Sequence, residues 1–292
     1  MVGEARHPGH AAAELTTGPP GDPDQPAAGP AGLTAGLRSG YDAAAASWPG
    51  GPGRMYARLA EALVAAAPVP VAGRLVLDLG AGDGVAGRAA LAAGACRVVG
   101  ADLSPGMLRR GLAASGGAAW RPVAADAVAL PFRDGRFGLV LAAFCLNHLD
   151  RLPAGLAEAR RVGRAIAASM FAPGWTHPAK DAVDEVLRAS GYRPPPWYAA
   201  LSPGSRASDP QALAEAAAAA GFSRVQVRTT SVRTGLATPA DLASWRLGLA
   251  HVAPFLRSLD RPARAALRTA AERAVADLAG PLDVSMLLLT AR

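Results

Sequence analysis

The sequence predicts an α/β protein with a doubly wound, mostly parallel sheet of seven strands and helical cap insertions. Two observations support this prediction. Short apolar runs alternate along the chain with segments of helical periodicity, which is the order that a parallel sheet requires. The first run of the sheet, 75–79, leads into a glycine-rich turn, and the next one ends on the acidic residue Asp102. This sequence of elements is typical of a nucleotide-binding scaffold.

The turn after the first strand carries glycine at alternate positions. Because glycine has no Cβ, the backbone can bend tightly there and a ligand can approach it closely. These residues are Gly80, Gly82 and Gly84. After the next helix, a second strand presents Asp102, whose carboxylate can accept hydrogen bonds from both hydroxyls of a ribose.

The turn does not match the dinucleotide-binding pattern. That pattern needs a third glycine where this chain has Val85, so that helix and strand can pack closely. Asp78 precedes the turn and Asp83 lies within it, and a carboxylate there would repel a diphosphate. A cofactor with ribose, adenine, an amino-acid tail and a sulfonium centre suits these acidic surroundings better than NAD.

Apolar periodicity and punctuating prolines predict the other elements. Ser104 is the expected N-cap of a helix in which Pro105 takes the first position. The predicted strands cover 75–79, 97–101, 123–125, 137–143, 165–171, 224–232 and 285–292. The predicted helices cover 55–67, 86–93, 105–114, 177–189 and 210–220.

Four segments together resemble the motifs of the class I S-adenosylmethionine-dependent methyltransferases. They are 76–84, 100–108, 123–132 and 137–140, in the order and spacing of that family. The resemblance is greatest to the small-molecule group related to ubiquinone and menaquinone biosynthesis methyltransferases. It implies that the last strand inserts antiparallel beside the sixth. The chain departs from the family before its fifth strand, where a Pro-Gly turn is usual and 158–164 contains none.

The resemblance implies S-adenosyl-L-methionine as cofactor. The residues that would bind it are Tyr41, Asp78, Gly80, Ala81, Gly82, Asp102, Leu103, Met107, Asp126, Ala127 and Ala143. Tyr41 would close the pocket from above, or would only anchor a surface helix. Asp126 follows the third strand and could accept a hydrogen bond from the adenine amine, or cap a helix instead.

Methyl transfer from a sulfonium is an in-line displacement that needs no metal, so no metal site is expected. An acceptor that must lose a proton needs a base, and His148 is the first candidate because it follows the fourth strand at the ligand edge. His177, after the fifth strand, is the second. Helix capping or a place in the pocket wall is the alternative for His148. Cys145 is expected to be a small buried side chain and not a nucleophile.

Residues 1–36 predict a disordered leader, because repeated prolines and glycines leave little that is large to bury. The methyltransferase domain is then expected over 37–292. The stretches 173–209 and 239–280 exceed a minimal sheet, and we expect them to form cap segments that build the acceptor pocket. Their aromatic and histidine side chains would suit a flat apolar acceptor, with ordinary core packing as the alternative for each. These side chains are Trp175, Trp197, Tyr198, Trp245, His251 and Phe255.

The amino-acid composition limits which partners and which kinds of site the protein is expected to have. The net charge of +7 comes from scattered arginines, with Lys180 the only lysine, which argues against a nucleic-acid partner. Cys96 and Cys145 are the only cysteines, so neither a disulfide scaffold nor a CxxC metal site is available. With neither a membrane span nor a secretory signal in the sequence, a cytoplasmic location is expected.

The predicted function is therefore methyl transfer to oxygen, nitrogen or carbon of a small molecule, such as a specialised metabolite. An RNA or protein methyltransferase is the alternative, although the Asn/Asp-Pro-Pro-aromatic motif of amino-directed enzymes is absent after the fourth strand. A scaffold that binds the cofactor but catalyses a different reaction is a third reading, because fold does not fix chemistry. The sequence leaves the acceptor, the methylated atom and the oligomeric state open.

Overall fold

The computed structural model describes residues 30–117, 119–200, 209–278 and 280–292. Seven strands in these ranges form one sheet. They are β1 (Leu75–Leu79), β2 (Arg97–Asp102), β3 (Trp120–Ala124), β4 (Leu139–Ala143), β5 (Ile166–Phe171), β6 (Gln226–Arg233) and β7 (Asp283–Ala291). Their order across the sheet is β3-β2-β1-β4-β5-β7-β6. The predicted α/β fold class is confirmed.

Helices cover both faces of the sheet. They are α1 (Pro30–Ala44), α2 (Pro52–Ala65), α3 (Val85–Ala92), α4 (Pro105–Ser115), α5 (Leu152–Val162), α6 (Pro178–Ala189), α7 (Pro196–Ala200), α8 (Pro210–Ala219), α9 (Pro239–Leu247), α10 (Ala253–Ser258) and α11 (Arg261–Ala274). Short 3-10 turns follow α1, β4 and α11 at Trp48–Gly50, Leu146–His148 and Ala276–Leu278.

The central strands β1, β4 and β5 are buried on both sides, so their side chains alternate between two cores. In β1, Val76 belongs to the core cluster that includes residues of α2, α3, α6, α9 and α11, whereas Leu77 belongs to the one that includes residues of α5 and α8. Both side chains are fully buried. This alternation explains why the sequence shows continuous apolar runs and not a period of two.

The five strands from β3 to β5 run parallel, and β7 runs antiparallel between β5 and β6. The antiparallel seventh strand beside the sixth is therefore confirmed. The third strand begins earlier than predicted, because buried Trp120 pairs with Val98 of β2. Phe137 lies outside β4 and forms an isolated bridge to Gly163.

The leader boundary at residue 36 needs correction, because α1 already begins at Pro30. Leu33 and Leu37 lie one helical turn apart and pack against a third core cluster that contains Trp48 and Trp197. This burial stabilises the first turns of α1. Residues 1–29 of the predicted leader lie outside the described residues.

The predicted cap segments contain α6, α7 and α9 to α11. α1 packs on both α7 and α10. A Cβ at Gly36 would lie 2.6 Å from Cδ1 of Trp197, so the absence of a side chain there allows the close approach of α1 to α7. Within the described ranges, no helix is long and apolar enough to cross a membrane.

Candidate functional site

A cavity of about 1220 Å³ lies at the carboxyl ends of the first four strands, with α1 as one of its walls. Ligands of doubly wound sheets bind at this edge. The structure brings most of the predicted cofactor residues together around it. Those that line the cavity are Tyr41, Gly80, Ala81, Gly82, Asp102, Leu103, Met107, Asp126, Ala127 and Ala143.

The glycine turn adopts a backbone conformation that other residues rarely take. Gly80 and Gly82 have φ of 65° and 54°, in the left-handed region. A Cβ at Gly80 would lie 2.5 Å from Sγ of Cys145, and a Cβ at Gly82 would lie 3.4 Å from Cε of Met107. The turn therefore keeps its shape only with glycine at these positions, and it leaves cavity space above Gly82.

Asp102 is fixed in place by two backbone groups. Its Oδ2 accepts a hydrogen bond of 2.8 Å from the N–H of Gly82, and its Oδ1 accepts one of 2.7 Å from the N–H of Ser104. Burial raises the pKa of Asp102, and these N–H groups oppose that shift. Each carboxylate oxygen can accept a further hydrogen bond, so the side chain can bind two ribose hydroxyls.

Asp126 lines the cavity next to Asp102. One of its oxygens accepts a hydrogen bond of 3.0 Å from the N–H of Val128, and the other has no hydrogen bond within the described part of the chain. Ser104 caps α4 as predicted, because its hydroxyl accepts from the N–H of Met107. Asp83 is buried and lines the same cavity. Together these carboxylates suit a cationic adenosyl sulfonium and disfavour a diphosphate.

Asp78 lies outside the cavity wall, contrary to the sequence prediction. Its side chain is 0% exposed, and its Oδ2 accepts a hydrogen bond of 2.7 Å from the N–H of Gly87 in α3. Burial raises the pKa of Asp78 to about 8. The side chain points to the face of the sheet that α3 covers, because it alternates with Leu77 and Leu79. It holds the helix after the turn and does not face the cofactor space.

His148 lines the cavity and bonds to α1. The hydroxyl of Tyr41 lies 3.1 Å from its Nε2, while its Nδ1 is buried with no hydrogen-bond partner in the described ranges. Burial lowers the pKa of His148 to about 4 and raises that of Tyr41. The imidazole is therefore neutral at pH 7, and its Nδ1 is a buried polar atom without a partner in the described ranges.

His177 caps the start of α6, and this position does not fit the predicted role as a base. Its Nδ1 accepts a hydrogen bond of 3.2 Å from the N–H of Ala179 at the start of α6, and its ring packs edge-on to Trp245. It does not line the cavity. The chain turns into α6 immediately after the β5 loop, and this takes the ring away from the ligand edge.

The aromatic wall of the cavity comes from residues other than the predicted ones. Tyr41, Trp48, Tyr56 and Phe144 line it, and the rings of Trp48 and Tyr56 stack at 5.6 Å. Phe144 has φ of 53°, a strained value of the kind found at ligand sites. None of the predicted acceptor side chains lines the cavity, and they pack in or against the core clusters instead. This set is Trp175, Trp197, Tyr198, Trp245, His251 and Phe255.

Asp42 is a residue of this site that the sequence analysis did not single out. Its Oδ1 accepts hydrogen bonds of 2.7 Å from the hydroxyl of Ser104 and from the N–H of Gly106, which ties α1 to the start of α4. Gly106 permits this contact, since a Cβ there would lie 2.7 Å from the same oxygen. The pair Tyr41-Asp42 therefore fixes α1 on both sides of the cavity.

Cys145 is buried beside Gly80, and burial raises the pKa of its thiol, so the thiol stays protonated at neutral pH. In the described parts of the chain, no group of three or more His, Cys, Asp or Glu side chains could hold a metal ion.

Known proteins resemble this chain in the segment that builds the site. A family described as a methyltransferase domain matches residues 76–165. The demethylmenaquinone methyltransferase of Thermobifida fusca is 36% identical over 171 residues, which cover 53% of this chain and 72% of that protein. The demethylmenaquinone methyltransferase of Beutenbergia cavernae is 40% identical over 107 residues, which cover 35% of this chain and 43% of that protein.

A solved structure shares the fold at lower identity. A chain of the complex between the Haloferax volcanii Trm112 methyltransferase activator and a methyltransferase superposes with a TM-score of 0.53 at 21% identity, over 87% of this chain and 96% of that one. The Thermobifida fusca relative is matched over most of its own length. The chain therefore belongs to the class I S-adenosylmethionine-dependent methyltransferases, and its cofactor is S-adenosylmethionine.

Proposed function

We propose that the protein transfers the methyl group of S-adenosylmethionine to an oxygen, nitrogen or carbon atom of a small molecule, of the kind made in specialised metabolism. The observation that carries this proposal is one cavity of about 1220 Å³ lined both by the glycine turn with its carboxylates and by an aromatic wall. A space of this size holds a cofactor and a compact acceptor together. The relatives named for demethylmenaquinone support a flat apolar acceptor.

Each carboxylate has a distinct task in this proposal. Asp102 accepts hydrogen bonds from the two ribose hydroxyls, and its backbone partners keep it in position. The second oxygen of Asp126 accepts one from the adenine amine. Tyr41 and Asp42 hold α1 as a wall that excludes water, which strengthens the electrostatic interactions inside the cavity.

S-adenosylmethionine, when bound, supplies an electrophilic methyl group on a sulfonium sulfur. The aromatic wall would hold the acceptor beside the cofactor, and positioning of this kind gives most of the acceleration of a displacement. Nδ1 of His148 takes the proton that the acceptor loses. Because His148 becomes positive as the sulfonium charge is lost, the net charge of the cavity does not change.

The position of α1 favours a small acceptor over a macromolecule. Its face from Leu33 to Ala43 forms a wall of the cavity, and Asp42 and Tyr41 hold it to two other elements. An RNA base or a protein side chain would have to pass this wall while still attached to its polymer. A free small molecule needs only a gap of its own width.

The direct test is a labelling screen with the full chain. The purified protein is incubated with methyl-labelled S-adenosylmethionine and with planar phenols, quinols and aryl amines, and with total RNA and an unfolded protein extract in parallel. Label in one small product that has gained one methyl unit, with S-adenosylhomocysteine released in equal amount, supports the proposal.

Two results would overturn it. Label on RNA or on protein alone would show a macromolecular acceptor. Conversion of an acceptor without methyl gain and without S-adenosylhomocysteine would show a scaffold with other chemistry. The matched control is Gly82→Val, which fills the cofactor space and should abolish any true transfer.

A further inference from the structure

Three arginines from separate elements line the cavity. Arg38 lies on α1, Arg151 lies directly before α5, and Arg257 lies on α10. All three are exposed, and none forms an ion pair with another described residue. Elements distant in sequence thus bring three arginines to the lining of one cavity.

None of the acidic residues of the lining forms an ion pair with these three arginines within the described part of the chain. Asp42 already accepts from Ser104 and Gly106 at the start of α4. Asp102 and Asp126 hold backbone N–H groups at the cofactor end. Asp83 faces Arg88 instead, and Asp150 neighbours Arg151 in sequence without an ion pair to it.

A guanidinium group presents several N–H donors in one plane, which suits the recognition of carboxylate and phosphate. The same cavity is lined by flat aromatic side chains, among them Trp48 and Tyr56, whose rings stack with planes 5° apart. A ligand that satisfies both features has a flat apolar body and an anionic group.

We infer that the methyl acceptor is a small aromatic anion whose carboxylate or phosphate is bound by Arg38, Arg151 and Arg257. The inference rests on the proposed function, because it specifies the substrate class of the same cavity. The arginines position the acceptor and take no part in the proton transfer, so their loss weakens binding first.

The test uses the full chain saturated with S-adenosylhomocysteine, so that only acceptor binding is measured. Calorimetry gives the dissociation constants of three probes with the same ring system: hydroxynaphthoate, hydroxynaphthyl phosphate and the neutral hydroxynaphthamide. We expect at least one anion to bind about tenfold more tightly than the amide. The anion that binds more tightly distinguishes a carboxylate acceptor from a phosphate acceptor.

The variants Arg38→Gln, Arg151→Gln and Arg257→Gln should each weaken binding of the preferred anion about two- to fivefold, the scale for exposed ion pairs, and leave binding of the amide unchanged. Arg164→Gln is the matched control, since Arg164 is exposed and does not line the cavity. Added salt should reduce the preference for the anion.

Equal affinity for anion and amide, or no binding of any probe, would overturn the inference. So would a preference that survives all three substitutions. The proposed function fails separately, by lack of methyl transfer in the labelling screen. S-adenosylhomocysteine binding with no anion preference therefore refutes only the inference.

Discussion

The hydroxyl of Tyr41 lies 3.1 Å from Nε2 of His148, and this hydrogen bond joins residues that are 107 positions apart. It connects α1 to the turn that follows β4. For Nδ1 of His148 to accept a proton, Nε2 must carry the hydrogen and donate it to the Tyr41 oxygen. The Tyr41 hydroxyl can accept from Nε2–H, so this contact is compatible with the imidazole tautomer whose Nδ1 acts as a base.

We expect Tyr41→Phe to lower kcat about two- to tenfold, because one hydrogen bond is lost while ring packing against Trp48 is kept. Binding of S-adenosylhomocysteine should change by less than about twofold, since one hydrogen bond to His148 is not a cofactor contact. Steady-state kinetics with the acceptor found by the labelling screen checks this.

His148→Gln should lower kcat further, about 100-fold, the scale of general base catalysis. Adding Tyr41→Phe to it should then cost nothing more, because Tyr41 acts through His148. A double variant with additive losses would show that the two residues act independently.

Asp102→Ala should weaken S-adenosylhomocysteine binding by more than about 100-fold, since it removes two charge-assisted hydrogen bonds to ribose hydroxyls that contribute about 1.5–3 kcal/mol each. Calorimetry measures the dissociation constant. The substitution also removes the acceptor of the Gly82 and Ser104 N–H groups, so the thermal stability of the variant must be measured as well. Asp102→Asn serves as the comparison, because it retains one oxygen acceptor. An unchanged dissociation constant for folded Asp102→Ala would remove Asp102 from the site.

Gly82→Val should abolish detectable S-adenosylhomocysteine binding. The side chain would enter the cavity, and the φ of 54° adds backbone strain of about 1–2 kcal/mol. Gly116→Val is the matched control, because Gly116 also has a positive φ, of 64°, but nothing lies within 4 Å of its added Cβ. Both variants should lose similar stability, and only Gly82→Val should lose the ligand. Equal binding by both would refute the assignment of the turn.

The local sequence pattern was sufficient to predict the central part of this fold. The order of strand, glycine turn, helix and strand that ends at Asp102 lies within one short segment, so neighbouring residues determine it. Gly82 and Asp102 were predicted at the ligand edge, and the hydrogen bond between them agrees with that placement. Parallel strands bring such ends together whatever the rest of the chain does.

The start of α1 and the position of His177 depend on contacts between segments that are distant in sequence. The first turns of α1 are stabilised through the cluster that contains Trp197, which composition around Leu33 cannot reveal. A histidine after β5 was expected at the ligand edge, but the direction of the chain into α6 places His177 against Trp245. The sequence shows where a strand ends and does not show which side chains the following helices cover.

Asp78→Asn should leave S-adenosylhomocysteine affinity within about twofold, because Asp78 does not line the cavity and its contact with Gly87 needs only an acceptor oxygen. Its effect should be seen in stability. The pKa of Asp78 is about 8 when folded and 3.8 ordinarily, so the folded state holds a proton that the unfolded state releases. Stability therefore falls as pH rises from about 4 to about 8.

Chemical unfolding at pH 6 and pH 8 tests this. Because Asn cannot ionise, the variant should lose about 2 kcal/mol less than the natural chain over this range. A parallel decline of both proteins would show that Asp78 is ionised in the folded state.

His148 gives stability the opposite dependence on pH. Burial lowers its pKa to about 4 from the ordinary 6.5, so below pH 6.5 the unfolded state takes up a proton that the folded state does not. The stability contributed by the neutral imidazole is fully present above pH 6.5 and is lost as pH falls towards 4. His148→Gln removes this term, so its free energy of unfolding should decline about 2 kcal/mol less between pH 7 and pH 4.5.

His251 is also buried with a lowered pKa, and it provides the comparison, because it lies outside the cavity. His251→Gln should also reduce the loss of unfolding free energy between pH 7 and pH 4.5, and it should leave kcat unchanged. His148→Gln should change both quantities. If His148→Gln does not reduce the loss of stability between pH 7 and pH 4.5, the pKa of the folded-state imidazole equals its ordinary value of 6.5. Burial would then not disfavour the charged ring, and the lowered pKa of His148 would be refuted.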